Sequence, residues 1–402
     1  MSSDLTLTVG APAHGGHCVA RADGRVVFVR HAIPGETVIA RLTEADPDAK
    51  FWRADAVEIL DPSPDRVEHP WPEAGPGGVG GAELGHVSLP AQRAWKRAVL
   101  EDAFERFAKT EFTADVAAAP GDDTGLGYRT RVSAIADAEG RAAMRVFRSH
   151  ELRALHAMPL ATERAQEALL GQRFSAGARI TVADPSHGEV FVTVDGVRWH
   201  AGKRDTRPNA PRRVREQVQI GTAAHEFVVD GDGFWQVHKA APSLLATRVS
   251  ELAGSGETAV DLYAGAGLLT VALAQEFSTV TSVESDANGV RAARRNLAQA
   301  PHVTVIEGDV RRTLRSGFGD HSVGRPDVVV LDPPRSGAGR ETLDALATLD
   351  APKLVYVACD PVALARDTAL LAGHGYALAH VEAWDLFPMT HHVESLAVFV
   401  EG

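Results

Sequence analysis

Five apolar runs in the C-terminal half of the chain each stop at a residue able to do chemistry. ETAVD ends at Asp261, TVTSVE at Glu284, VTVIEGD at Asp309, DVVVLD at Asp332 and LVYVAC at Cys359. Carboxylates in that number suit a cationic ligand and accept from hydroxyls. A thiol is either a carbon nucleophile or an inert buried group. Cys359 is followed by Asp360-Pro361 and the helical pattern ALARDTALLAG, and a helix N-terminus can lower a thiol pKa. Helical stretches such as Asn288 to Ala300 and Glu341 to Thr348 separate the runs. β-branched runs alternating with helices predict a parallel sheet covered on both faces. Ligands bind beyond the carboxyl ends of such strands, so the five residues are expected along one rim.

The stretch that organises this half is VDLYAGAG at 260–267. A strand ends in an acid, turns through Gly265-Ala-Gly267 and opens the helical pattern LLTVALAQEF. The glycines let backbone approach a ligand. Glu284 ends the next strand, 23 residues after Asp261, where an acid accepts from the hydroxyls of a nucleoside ribose. The turn lacks the GxGxxG pattern of a pyrophosphate site and the rim is acidic. A dinucleotide is therefore disfavoured, and S-adenosylmethionine, cationic and without phosphates, fits better. In DPPR at 332–335 the prolines fix the backbone, so Asp332 can face a planar base.

The elements that must position these residues occupy the whole chain of 402 residues, a length for two to three domains. Residues 5–60 alternate short β-like runs (LTLTV, GHCVARA, RVVFVRH, ETVIARLTEA, FWRADAVEIL) with glycine turns, predicting a small five-stranded barrel. Residues 66–86 are rich in Pro and Gly and predict irregular structure. A helix starts at Ser88-Leu-Pro90, with Trp95, Val99, Leu100, Phe104 and Phe107 as its core stripe. Residues 127–230 predict an antiparallel α+β module interrupted by one helix near 162–171. That module holds a basic run, Lys203 to Arg215, which reads as a solvated loop or as phosphate contact. The fold class is multidomain: a β-barrel over 1–62, a central α+β domain over 63–232 and an α/β Rossmann-like domain over 233–402. The net charge of −12 argues against a generic nucleic-acid coat but leaves room for a local basic groove. No window resembles a membrane span or signal peptide, so a cytoplasmic monomer without membrane contact is expected. The two cysteines, Cys18 and Cys359, make a structural disulfide unexpected.

The barrel, with AIPGE at 32–36 and FWRADAVEIL, resembles a TRAM domain, an RNA-binding module of RNA-modifying enzymes. Gly127-Tyr-Arg129, FWQ at 234–236, DLYAGAG, VESD, EGD, DPPRSG, ACDP and FPMTHHVES resemble the class I S-adenosylmethionine-dependent RNA uracil-5 methyltransferases. The resemblance covers most of the chain. It implies that Gln236, Tyr263, Gly265, Gly267, Leu268, Glu284, Asp309 and Asp332 surround the methyl donor. It also implies Cys359 as nucleophile, Glu394 as base, and ribosomal or transfer RNA as partner. Members of this branch often hold an iron–sulfur cluster on four cysteines. With two cysteines here, no cluster is expected, and His69 and His86 in that loop are expected to be solvated. Methylation of a base nitrogen through DPPR alone, or RNA binding without catalysis, are the alternatives; neither needs Cys359 or Glu394.

Overall fold

The computed structural model describes residues 4–321 and 323–402; the first three residues of the barrel segment lie outside the described residues. Six strands, not five, build the barrel, because Pro12–Ala13 adds a short edge beside His17–Ala22. The sheet runs from Asp4–Thr8 through Thr37–Glu44, Phe51–Asp61 and Arg25–Arg30 to that edge. Gly10 N donates to Val19 O at 2.7 Å and Val19 N to Ala11 O at 3.0 Å, which closes it. Val27, Val29, Val38 and Cys18 fill the interior. Arg30 and Asp55 form a buried two-bond pair at 2.9 Å.

His69 and His86, in the loop beside this barrel, are enclosed and not solvated. His86 is 4% exposed and its ring lies 5.9 Å from that of His31. His69 is half-buried against Ala82 O at 3.1 Å. Both are enclosed because the Pro/Gly loop folds onto the barrel instead of into solvent. Burial lowers His17 and His31 from 6.5 to about 4. Between those values the unfolded chain binds more protons than the folded barrel. The barrel is therefore expected to lose stability as pH falls from 6.5 towards 4, with the full contribution present above 6.5. Protection factors across Thr37–Glu44, taken relative to the intrinsic exchange rate at each pH, should fall over that interval; protection unchanged from pH 7 to 4.5 would contradict two neutral imidazoles.

The helix Leu89–Ala103 joins the barrel to the rest. Its Trp95 and Val99 pack into the barrel core, while Leu100, Ala103 and Phe104 enter the core of the largest sheet. Phe107 departs from the expected stripe. A π-turn over Phe104–Ala108 rotates it outward, 37% exposed, beneath the Arg366 guanidinium. The middle of the chain forms a seven-stranded antiparallel sheet with the helix Glu163–Leu170. Trp71, Val79, Ala82 and Met158 pack into its core, so the irregular loop is anchored by apolar residues.

The largest sheet has eight strands. Val303–Glu307, Phe277–Glu284, Gly256–Leu262, Val328–Leu331 and Lys353–Ala358 run parallel in that spatial order. Glu394–Glu401 and then Tyr376–Asp385 follow antiparallel. The five expected strands are all present, and helices cover both faces. Two pieces come from earlier in the chain. Val116–Ala118 pairs parallel with the end of Tyr376–Asp385 as the outer edge. The hairpin Arg213–Ile220 with Ala223–Asp230 packs Val214, Val218, Phe227 and Val229 against the face that carries Leu245 and Leu269. The basic run is thus half strand, and four of its cations sit in carboxylate pairs: Arg204–Asp195, Arg207–Asp205, Arg213–Asp230 and Arg215–Glu226. No helix is long and apolar enough to cross a membrane among the described residues.

Candidate active site

At the carboxyl ends of the parallel strands lies a cavity of about 810 Å³. Gln236, Tyr263, Gly265, Leu268, Glu284, Asp332, Cys359 and Glu394 line it together. Gly267 and Asp309 do not. Gly267 opens the helix Leu268–Leu273 with φ +87°, and a Cβ there would meet Leu297 at 3.3 Å and Ala293 at 3.4 Å. It serves close helix packing behind the turn. Asp309 accepts from Arg312 N at 3.0 Å as the cap of Val310–Arg315, facing a neighbouring cleft that shares Tyr263. Asp261, expected on the rim, is fully buried beneath it and accepts from Thr270 Oγ1 at 2.5 Å. Burial raises its carboxyl to about 7. The strand continues one residue past it, to Leu262, and turns it into the core.

Glu284 is held by the turn it faces. Its Oε2 accepts from Gly265 N at 2.8 Å and its Oε1 from Asp286 N at 2.6 Å. Gly289 must be small here, since a Cβ would stand 3.1 Å from Glu284 Cγ and 3.2 Å from Gly265 O. The hairpin wall is tied to the same turn through Asn296, which donates to Ala266 O at 2.9 Å and accepts from Val228 N at 2.9 Å. The segment carrying Gln236 is irregular, and the central module pins it. Thr130 N donates to Val237 O at 2.9 Å and Lys239 N to Tyr128 O at 3.0 Å. Tyr128 also stacks on His238, with centroids 5.0 Å apart.

Asp332 follows the strand Val328–Leu331, half-buried, with its carboxyl raised to about 7 by burial. The loop behind it is fixed by Asp367, whose Oδ2 accepts from Ala338 N at 2.7 Å and Tyr356 OH at 2.6 Å. Cys359 and Glu394 come from adjacent antiparallel strands. Ala358 pairs with Ser395, so the two residues follow one step further at the same end. Glu394 is 4% exposed. Its carboxyl is pushed well above the usual range by burial and by Asp332, with Arg335 opposing. The expectation of a lowered thiol is reversed: Cys359 is pushed up to about 12. Burial dominates, the carboxyls of Glu394, Asp332 and Asp360 add to it, and only Arg335 opposes. The helix N-terminus is instead satisfied by Asp360, whose Oδ1 accepts from Val362 N at 3.0 Å and Ala363 N at 2.9 Å. Its other oxygen meets His14 Nε2 of the barrel at 2.9 Å.

Several wall residues escaped the sequence reading. Phe234 is 76% exposed at the mouth, and Val229 with Asp230 forms the hairpin side. The alternation of RVREQVQI was a strand signal hidden by its arginines. Arg129, Arg335 and Phe387 also line the cavity, and each lies inside a motif quoted above. The cavity is acidic: Asp230, Asp232, Glu284, Asp286, Asp332 and Glu394 face two guanidiniums, Arg129 and Arg335. With apolar Leu268, Leu269 and Ala292 beside Glu284, it suits a cationic nucleoside and not a polyphosphate.

Residues 322–401 match the family described as tRNA (Uracil-5-)-methyltransferase, and residues 3–57 match the TRAM domain. Residues 256–347 also match the family described as RNA cap guanine-N2 methyltransferase. An uncharacterized RNA methyltransferase of Bifidobacterium longum is 41% identical, over 96% of this chain and 94% of that one. The 23S rRNA (uracil(1939)-C(5))-methyltransferase of Shewanella amazonensis is 30% identical, over 99% and 96%. Among solved structures, the Pyrococcus abyssi tRNA (uracil-54, C5)-methyltransferase in complex with S-adenosyl-L-homocysteine superposes with a TM-score of 0.72 at 20% identity, covering 98% of this chain and all of that one. Full-length similarity of this extent, with the barrel and the matched C-terminal segment, leaves one assignment. The chain belongs to the S-adenosylmethionine-dependent RNA uracil-5 methyltransferases, in the branch that carries an N-terminal TRAM domain.

Proposed function

We propose that the protein methylates C5 of a uridine in ribosomal or transfer RNA, with Cys359 as nucleophile and Glu394 as base. The observation that carries this reading is the strand register that brings thiol and buried carboxyl to the same end of the sheet. A relative named for uracil-5 methylation of ribosomal RNA, and a fold neighbour named for uracil-54 of transfer RNA, support the substrate class. S-adenosylmethionine supplies, when bound, an electrophilic methyl on a sulfonium. Gln236, Tyr263, Gly265, Leu268, Glu284 and Asp332 would hold it, Glu284 on the ribose hydroxyls; Gly267 and Asp309 would support that pocket from behind.

Uracil C5 alone is a poor nucleophile. The Cys359 thiol and the Glu394 carboxyl first give up their protons to solvent; Sγ then bonds to C6, so the ring electron pair moves onto C5 and O4 as an enolate. C5 then takes the methyl. Glu394 accepts the C5 proton, the ring double bond re-forms, and Sγ leaves C6 with its electron pair. The target uridine must leave its stack to enter the cavity, and a single-stranded loop is the fitting setting. We read the chain as three units, 1–62, 63–232 and 233–402, the first contributing RNA contacts and the last the donor pocket.

Nitrogen methylation is the second reading, favoured only by the 256–347 match, which ends before both Cys359 and Glu394. Nucleoside mass spectrometry of ribosomal and transfer RNA from a deletion strain decides between them. Loss of 5-methyluridine, restored by the intact gene, is expected; loss of an N-methylated base instead would refute the proposal.

A further inference from the structure

The strand Tyr376–Asp385 and the last strand, which begins at Glu394, are joined by a loop whose backbone is gripped from three sides. Trp384 pairs in register with Glu394, so the end of one strand sets the position of the other. Lys96, 1% exposed within Leu89–Ala103, sends Nζ to Asp385 Oδ1 at 2.5 Å and to Phe387 O at 3.0 Å. One turn earlier Gln92 accepts from Met389 N at 2.7 Å and donates to Met389 Sδ at 3.2 Å. The Tyr128 hydroxyl donates to Pro388 O at 2.9 Å, and Leu84 N to Met389 O at 2.8 Å.

Met389 sits at φ +66°, a left-handed conformation that a long side chain adopts only where its surroundings over-determine it. Replacing Lys96 and Asp385 together by apolar side chains would cost little stability, whereas losing the ammonium alone leaves the buried Asp385 carboxylate unpaired. What the ammonium adds is direction, since it donates at once to the strand end and to the carbonyl of Phe387, a cavity-lining residue. None of the hydrogen bonds of Lys96, Gln92 or Tyr128 to this loop reaches Cys359 or Asp360.

We infer that Lys96 is a positioning residue for the second half of the reaction, fixing the 385–393 loop so that Glu394 meets the C5 proton. This rests on Glu394 being the base. Thiolate addition and methyl transfer, which use the other loop, are left in place when Lys96 is lost; proton removal is not.

The test compares full-length wild type, Lys96→Met and Glu394→Gln. Each is incubated with methyl-tritiated S-adenosylmethionine and unmodified transcripts of the organism's ribosomal and transfer RNAs. For Lys96→Met we expect kcat to fall about ten- to a hundredfold. KM for the donor should stay within about twofold, and the heat-stable tritiated protein–RNA adduct should rise several-fold over wild type. If Glu394→Gln accumulates adduct and Lys96→Met loses turnover without it, Lys96 does not act through Glu394 and the inference falls. If Glu394→Gln itself forms none, the reading of Glu394 as base fails first and takes the inference with it. Should Lys96→Met fail to bind donor, Tyr128→Phe is measured in its place. That change keeps the ring stacked on His238 and removes the bond to Pro388 O, together with the longer one that the hydroxyl accepts from Arg129 Nε at 3.4 Å. It should raise the adduct in the same direction, and wild-type adduct levels there would overturn the inference.

Discussion

Cys359→Ala is expected to lower methyl transfer by at least about a thousandfold, the scale of losing a covalent nucleophile. Without a bond to C6, no electron pair reaches C5, and neither donor binding nor base positioning can substitute. Donor affinity should change little, because Glu284 and the glycine turn are untouched. Equilibrium dialysis with S-adenosylmethionine separates the two effects. The raised thiol gives the site a pH signature before any RNA is present. A group at about 12 is protonated through the neutral range, and its thiolate fraction grows about tenfold per pH unit. Alkylation of Cys359 by iodoacetamide in the free enzyme should therefore keep climbing from pH 6 to beyond 9. A plateau near 7 would mean that the helix start, not burial, governs the thiol. A nitrogen methyltransferase would retain most activity in Cys359→Ala.

Glu394→Gln is expected to stop the enzyme part-way. The amide keeps the size of the side chain, but it cannot accept the C5 proton. Sulfur addition and methyl transfer proceed while elimination stalls, so enzyme should accumulate joined to methylated RNA. A heat-stable shifted band reports this, and adding Cys359→Ala should remove it. Turnover should drop by about a hundredfold or more, the usual range for losing a positioned acid or base. A variant that turns over normally, or that stalls without an adduct, would remove Glu394 from the role.

How much of this was legible beforehand depended on whether the signal was local. The strand–turn–helix around Gly265 and the strand ends at Glu284, Asp332 and Cys359 are short-range patterns, and the structure carries them as read. Asp261 was misplaced by a single residue of strand length, enough to move a carboxyl from rim to core. The thiol was misjudged because the helix start is local, whereas its burial and the carboxyls of Glu394 and Asp332 come from strands far apart in sequence. His86 looked solvated in a Pro/Gly loop; only the docking of that loop on the barrel buries it. The hairpin wall of the cavity was hidden because its outward-facing arginines gave the segment the composition of a loop.

The short strand Val116–Ala118 lies on the outer side of Tyr376–Asp385, with Val116 opposite Ala383, and Leu100 and Phe104 pack behind it. During synthesis these residues emerge long before the strand they cover. They have no sheet to rest on until Tyr376–Asp385 has been made. The catalytic half is therefore closed around a segment already waiting, instead of being completed on its own as it leaves the tunnel. Cutting the chain at residue 232, where the sequence invites it, strips that segment away. The remaining fragment keeps the parallel strands but loses the hairpin wall of the cavity, and it exposes a row of unpaired amides and carbonyls and the apolar hollow behind them. Such an edge recruits other chains.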